Sequence, residues 1–80
     1  MNDNFPVKQI QIIDILCFRY KMIPSFVKEQ YAFLFMEDDD AETILRDIQE
    51  IEELSNNLEE AKLRITNLFG FKIIQKLSNI

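Results

Sequence analysis

Fourteen carboxylates, one thiol and no histidine are what this sequence offers to chemistry. Carboxylates work as general acids and bases when their surroundings push a pair's pKa values apart. They also bind hard cations when several oxygens converge. The densest group is Glu37-Asp38-Asp39-Asp40. It lacks the D-x-D-x-D-G spacing of a calcium loop, and the single glycine, Gly70, stands too far away to make the sharp turn. Adjacent carboxylates on a regular backbone point in different directions. The run therefore reads as an acidic loop and helix start, and no metal is expected. Among the other acids, spacing singles out no catalytic pair.

Cys17 is the one nucleophile candidate. A thiol becomes reactive beside a base or cation that lowers its pKa. Cys17 lies instead on the most apolar face of the most apolar segment, and it reads as a small buried hydrophobe. One thiol and no imidazole exclude an internal disulfide and make structural zinc improbable. One glycine leaves no phosphate-cradling loop and no dinucleotide fingerprint. The sequence predicts no catalytic residue, no cofactor and no enzyme.

Charge is the stronger signal. The 24 residues from Glu37 to Glu60 hold eleven acids against Arg46, a segment charge of 1 − 11 = −10. The rest holds Asp3, Asp14 and Glu29 against eight Lys and Arg, or +5, which together give the net −5. Such a block is a solvated helix face or a surface for something of opposite sign. Lys62, Arg64, Lys72 and Lys76 form a basic tail without an acid from Ala61 onward. With the acidic block adjacent to oppose phosphate, direct nucleic-acid binding is not expected; the tail pairs more simply with acids of its own molecule or of a second copy.

These groups need elements to position them. Eighty residues make one domain, 1–80, with a small core that a partner chain would help to stabilise. Hydrophobic residues at 48% exclude a disordered acidic tail, and the scarcity of Gly and Pro argues against a turn-rich β-sandwich. In Val7–Ile23, Ile10, Ile13, Cys17 and Tyr20 lie at helical spacing. The runner-up there is a strand. Pro24 breaks the pattern and Ser25 is placed to cap a second helix, Phe26–Met36, with Val27, Tyr31 and Leu34 on one side.

The third segment carries Ile44, Ile51, Leu58 and Ile65 every seven residues, with Ile48, Leu54, Ala61 and Leu68 between. Asp39 with Glu42 fits a capping box, and Asp38–Asp40 suit the positive end of the helix dipole. Ser55-Asn56-Asn57 is the weak point, where Asn56 with Glu59 offers a second box. An unbroken helix of about 28 residues would span roughly 42 Å, too long for a domain of about 12 Å radius, so compactness favours a break. Gly70 is the expected helix stop, followed by a short helix Phe71–Ile80.

The expected fold is all-α: a three- to four-helix bundle with one long acidic amphipathic helix. The alternative is α+β, with strands near Ile10–Tyr20 and Phe71–Lys76. The expected function is a non-enzymatic protein–protein interaction module (subunit, adaptor or regulator) that self-associates or binds a partner through Phe18, Tyr20, Phe26, Phe33 and Phe35. Seven of nine aromatics crowd into Met1–Met36, more than a small hairpin hides. The alternative is an acidic inhibitor of phage or mobile-element type, a nucleic-acid mimic, antitoxin or immunity-like protein. It would use Asp47, Glu50, Glu53 and Glu59 to occupy a basic site on a nucleic-acid-handling protein or toxin. Met1–Pro6 resembles no signal peptide and no run of 18 apolar residues exists, so a cytoplasmic protein without a membrane partner is expected.

Overall fold

The computed structural model describes residues 7–78, and these are helical with no strand among them. The α+β alternative is thereby excluded for the described residues. The expectations for Met1–Pro6 and for Ile80 lie outside them.

Helix α1, Val7–Asp14, buries Gln9 and Ile12. It runs into a π-helical turn, Ile15–Arg19, instead of continuing to Ile23. The bond Tyr20 N–H to the Ile15 carbonyl spans 3.2 Å, and Met22 N–H reaches the Leu16 carbonyl at 3.0 Å. Widening the last turn keeps Ile12, Leu16 and Tyr20 all in the core at four-residue steps. Lys21 then reverses the chain at φ 61°, the left-handed region that a non-glycine residue seldom enters.

Helix α2 is Pro24–Gln30, capped by extended Ile23 with Pro24 in the first turn. Ser25 is therefore not the cap. Proline's fixed φ and missing N–H suit the first helical position, so the break-forming residue starts the helix itself. The second segment also divides: a 3₁₀ turn, Ala32–Phe35, follows α2 and buries Leu34 and Phe35. Val27, Tyr31 and Leu34 do share the buried side.

Helix α3, Asp38–Leu54, packs against α1, the 3₁₀ turn and α4. Ala41, Ile44 and Ile48 are its buried stripe. Asp38–Asp40 fill the first turn, favourable to the dipole, but the cap is Glu37 in an extended conformation with no side-chain bond. Asp39 already lies inside the helix, where its carbonyl accepts from Thr43 Oγ1 at 3.0 Å. Gln9 Nε2 ties α1 to this junction, donating to the Met36 carbonyl and to Asp38 Oδ1 at 3.0 and 3.3 Å.

The chain breaks at Ser55–Asn57 as compactness requires, and α4, Leu58–Ser78, turns back along α3. The reciprocal cap here is one residue later than the sequence spacing suggests. Asn57 Oδ1 accepts from Glu60 N–H at 2.8 Å, and Glu60 Oε1 accepts from Asn56 N–H at 3.2 Å. The break resets the helical phase. Ala61, Ile65 and Phe69 face the core, while Leu54 and Leu58 of the expected seven-residue stripe are exposed.

Gly70 does not stop α4. It is helical, with no positive φ, and a Cβ built on it would meet nothing within 4 Å. Phe71–Ser78 thus continue one helix, whose Lys72 and Lys76 return over α3. The outer face of α4 leaves Leu63, Phe71, Ile74 and Leu77 exposed.

A glycine in a helix interior with free space costs about 1 kcal/mol relative to alanine. Gly70→Ala should therefore raise the unfolding free energy of the dilute chain by roughly 0.5–1 kcal/mol in urea denaturation.

Candidate functional site

The most developed polar constellation lies where the π turn meets the α3–α4 turn. Tyr20 Oη and Arg19 Nη1 both donate to the same carboxylate oxygen, Glu52 Oε2. Tyr20 is 2% exposed, so its ring is core and only its hydroxyl reaches the polar edge. Burial, then the bond to Glu52, push its phenol from 10.0 up to about 12. Two open grooves flank this network. One, of about 350 Å³, is lined by Arg19, Tyr20, Glu52, Ser55, Asn57, Leu58 and Ala61. The other, of about 280 Å³, adds Lys21, Glu59 and Lys62.

The local sequence explains the placement. The π turn and left-handed Lys21 swing Arg19 and Tyr20 toward the end of α3, where Glu52 stands one turn before the break. Backbone departures of this type gather at sites where a side chain must be aimed. The network fixes the N-terminal segment onto α3. Nothing in it pairs a nucleophile with a base. Cys17 is half-buried, and burial and nearby Asp14 push its thiol up, against a smaller opposing pull from Lys28. Among the described residues, no group of three or more acids and thiols is gathered closely enough to hold a metal ion.

The aromatic set named from sequence divides. Phe18 is 73% exposed and Phe26 stands about half out, while Phe33 is half-buried. Tyr20 and Phe35, at 2% and 1%, are core residues and leave the surface set. Period-3.6 patterning marked both faces of α1 as apolar, and only the π turn decides which side is inside. Phe26 rests edge-on against Tyr31 at 5.4 Å, and Tyr31 stacks on Phe69 of α4 at 4.6 Å. The aromatics thereby hold α2 to α4.

The acidic ridge divides as well. Asp47 is answered by Lys72 Nζ at 3.9 Å, so it is not a free contact group. Glu50, Glu53 and Glu59 are exposed and form no ion pair among the described residues. Asp40 meets Lys76 at 3.7 Å, and the local pairs Glu42–Arg46 and Glu60–Arg64 stand at 3.7 and 2.7 Å. The basic tail thus closes on acids of its own molecule. Two residues escaped sequence reasoning. Glu52 is one acid among many until the π turn brings Arg19 and Tyr20 to it, and Gln9 is a polar residue in an apolar stripe with no local partner.

No protein-family model, curated protein or solved structure matches this chain. No helix among the described residues is long and apolar enough to cross a membrane.

The phenol's raised pKa has a sign. The folded state favours the protonated phenol, so this stabilisation is present below pH 10.0 and is lost as pH rises toward about 12. Relative to Tyr20→Phe, the native chain should lose on the order of 2 kcal/mol of unfolding free energy across that window, by denaturant titration at stepped pH. A parallel decline in both proteins would show that Tyr20 is not the group responsible.

Proposed function

We propose that this chain is a non-enzymatic interaction module that docks a protein through exposed apolar side chains. The carrying observation is Phe18, which stands 73% exposed beside the network that rigidly anchors Arg19 and Tyr20. Ile23 and Leu58 add exposed apolar surface from the segment before α2 and from the start of α4. Aromatic side chains held on a rigid base lose little entropy on docking and are the usual energetic centres of interfaces. In this reading the buried Tyr20 positions the surface and Phe18 touches the partner.

Phe18→Ala should weaken association with a copurifying partner or a second copy by roughly tenfold or more, while changing the unfolding free energy by less than about 0.5 kcal/mol. Sedimentation velocity and thermal melts read the two effects separately. Unchanged association sinks the role of Phe18.

A second reading has its own observation. Glu50 and Glu53 project one helical turn apart on α3, exposed and in no ion pair among the described residues. Exposed carboxylates in a row offer a basic groove the charge spacing of a phosphate chain, which supports an acidic inhibitor of a nucleic-acid-handling protein or toxin. Binding to such a target should fall steeply between low and physiological salt, and Glu50→Lys with Glu53→Lys should abolish it. Salt-insensitive binding would reject this reading.

A further inference from the structure

The outer face of α4 has a pattern that its own fold does not use. Leu63, Gly70 and Leu77 recur every seven residues, and Asn67 and Ile74 fall between them at alternating steps of four and three. This is the seam of a coiled coil, with Leu63, Gly70 and Leu77 at d positions and Asn67 and Ile74 at a positions. Core-facing Ala61, Ile65 and Phe69 occupy the other side of the helix. Leu63, Phe71, Ile74 and Leu77 are 63, 58, 65 and 60% exposed. No charged residue stands at an a or d position from Leu63 to Leu77, and Glu60, at the a position just before them, is paired with Arg64 of its own helix at 2.7 Å.

We propose that α4 pairs with α4 of a second copy as a parallel, in-register two-helix coiled coil. It rests on the interaction reading above and names one partner for it. Three features select this occupant and orientation. Leucine at d with isoleucine at a favours two parallel strands, and one asparagine at an a position fixes register by meeting its counterpart. Antiparallel pairing sets each a position against a d position of the partner, so Asn67 would face Leu77 or Gly70 and its amide would go unsatisfied. The flanking charges agree: Glu59 is a g position and Arg64, which also holds Glu60 of its own helix at 2.7 Å, is the e position five residues on, the spacing at which parallel helices exchange ion pairs. Glu59 forms no ion pair in its own molecule among the described residues.

Area is sufficient. Four apolar side chains exposing on the order of 100 Å² each give about 800 Å² for the pair, and the exposed Thr66 and Asn67 beside them bring it to roughly 1,000 Å², the lower bound of specific interfaces. Gly70 also acquires a purpose. Space around it is empty in the single chain, and a second backbone at the seam would occupy it.

Sedimentation equilibrium of the full chain, from micromolar to millimolar concentration, should show a monomer–dimer equilibrium. Ile74→Glu should weaken it by roughly a hundredfold while leaving helicity and melting of the dilute chain unchanged. Orientation is read by cross-linking in a Cys17→Ser background. Leu63→Cys should oxidise to a covalent dimer, and Gln75→Cys, off the seam, should not. With Leu63→Cys and Leu77→Cys chains mixed, like positions should join and unlike positions should not. A chain monomeric throughout, or one joined between positions 63 and 77, overturns the pairing. So does a monomer whose binding to anionic lipid vesicles is lost in Ile74→Glu, which would make the seam a membrane face. Association abolished by Phe18→Ala and untouched by Ile74→Glu overturns the pairing but leaves the interaction reading standing.

Discussion

The reversal at Ser55–Asn57 is the constraint on which the molecule depends. Without it, the acidic block and the basic tail would lie at opposite ends of one rod. With it, Lys72 and Lys76 come to rest on Asp47 and Asp40, and Ile65 and Phe69 close over the core that Ala41, Ile44 and Ile48 begin. The turn is held by short-range chemistry: Asn57 Oδ1 accepts from Glu60 N–H, Glu60 Oε1 accepts from Asn56 N–H, and Ser55 Oγ donates to the Ile51 carbonyl at 2.7 Å. The surface ion pairs are individually weak in water. Burial supplies the stability, and the charges supply the direction in which α4 folds back.

A second constraint shapes the opposite corner. The π turn spends one residue to keep Leu16 and Tyr20 inside, and Lys21 absorbs the change of direction. The result is an anchored platform: Arg19 and Tyr20 converge on Glu52, and Phe18 is turned outward beside them. Core and surface aromatics alternate here within three residues, so a rigid interior supports an adhesive exterior at the same point in the chain.

Helix class and the buried faces of α2 and α3 were legible from spacing, because apolar periodicity acts locally, whereas the break after Leu54 was not, since the seven-residue stripe runs through it and only Ser55-Asn56-Asn57 and the length of an unbroken rod argued for it. Gly70 was not, since a lone glycine signals a helix end or a helix interior equally, and only the space around it distinguishes them. The caps shifted by one or two residues because several Asp and Asn compete for each position, and the backbone before each helix selects among them. Tyr20 and Phe35 looked like surface candidates because aromatic excess says how many rings must be exposed and not which. The Glu52 network was invisible because its members lie 32 and 33 residues apart and meet only through a non-α turn.

The stack of Tyr31 on Phe69 has a consequence for the order in which the chain assembles. The α3–α4 hairpin carries its own cap and closes a loop of a few residues, a low entropic cost. The Tyr31–Phe69 contact joins residues 38 apart in sequence and gains strength only once that hairpin exists. The hairpin is thus the natural nucleus, and the aromatic clasp is the late event that recruits the N-terminal half. A ribosome releasing this chain must emit Phe69 before the clasp can close, so Tyr31 and the aromatic segment around it wait uncovered while at least 38 further residues are made.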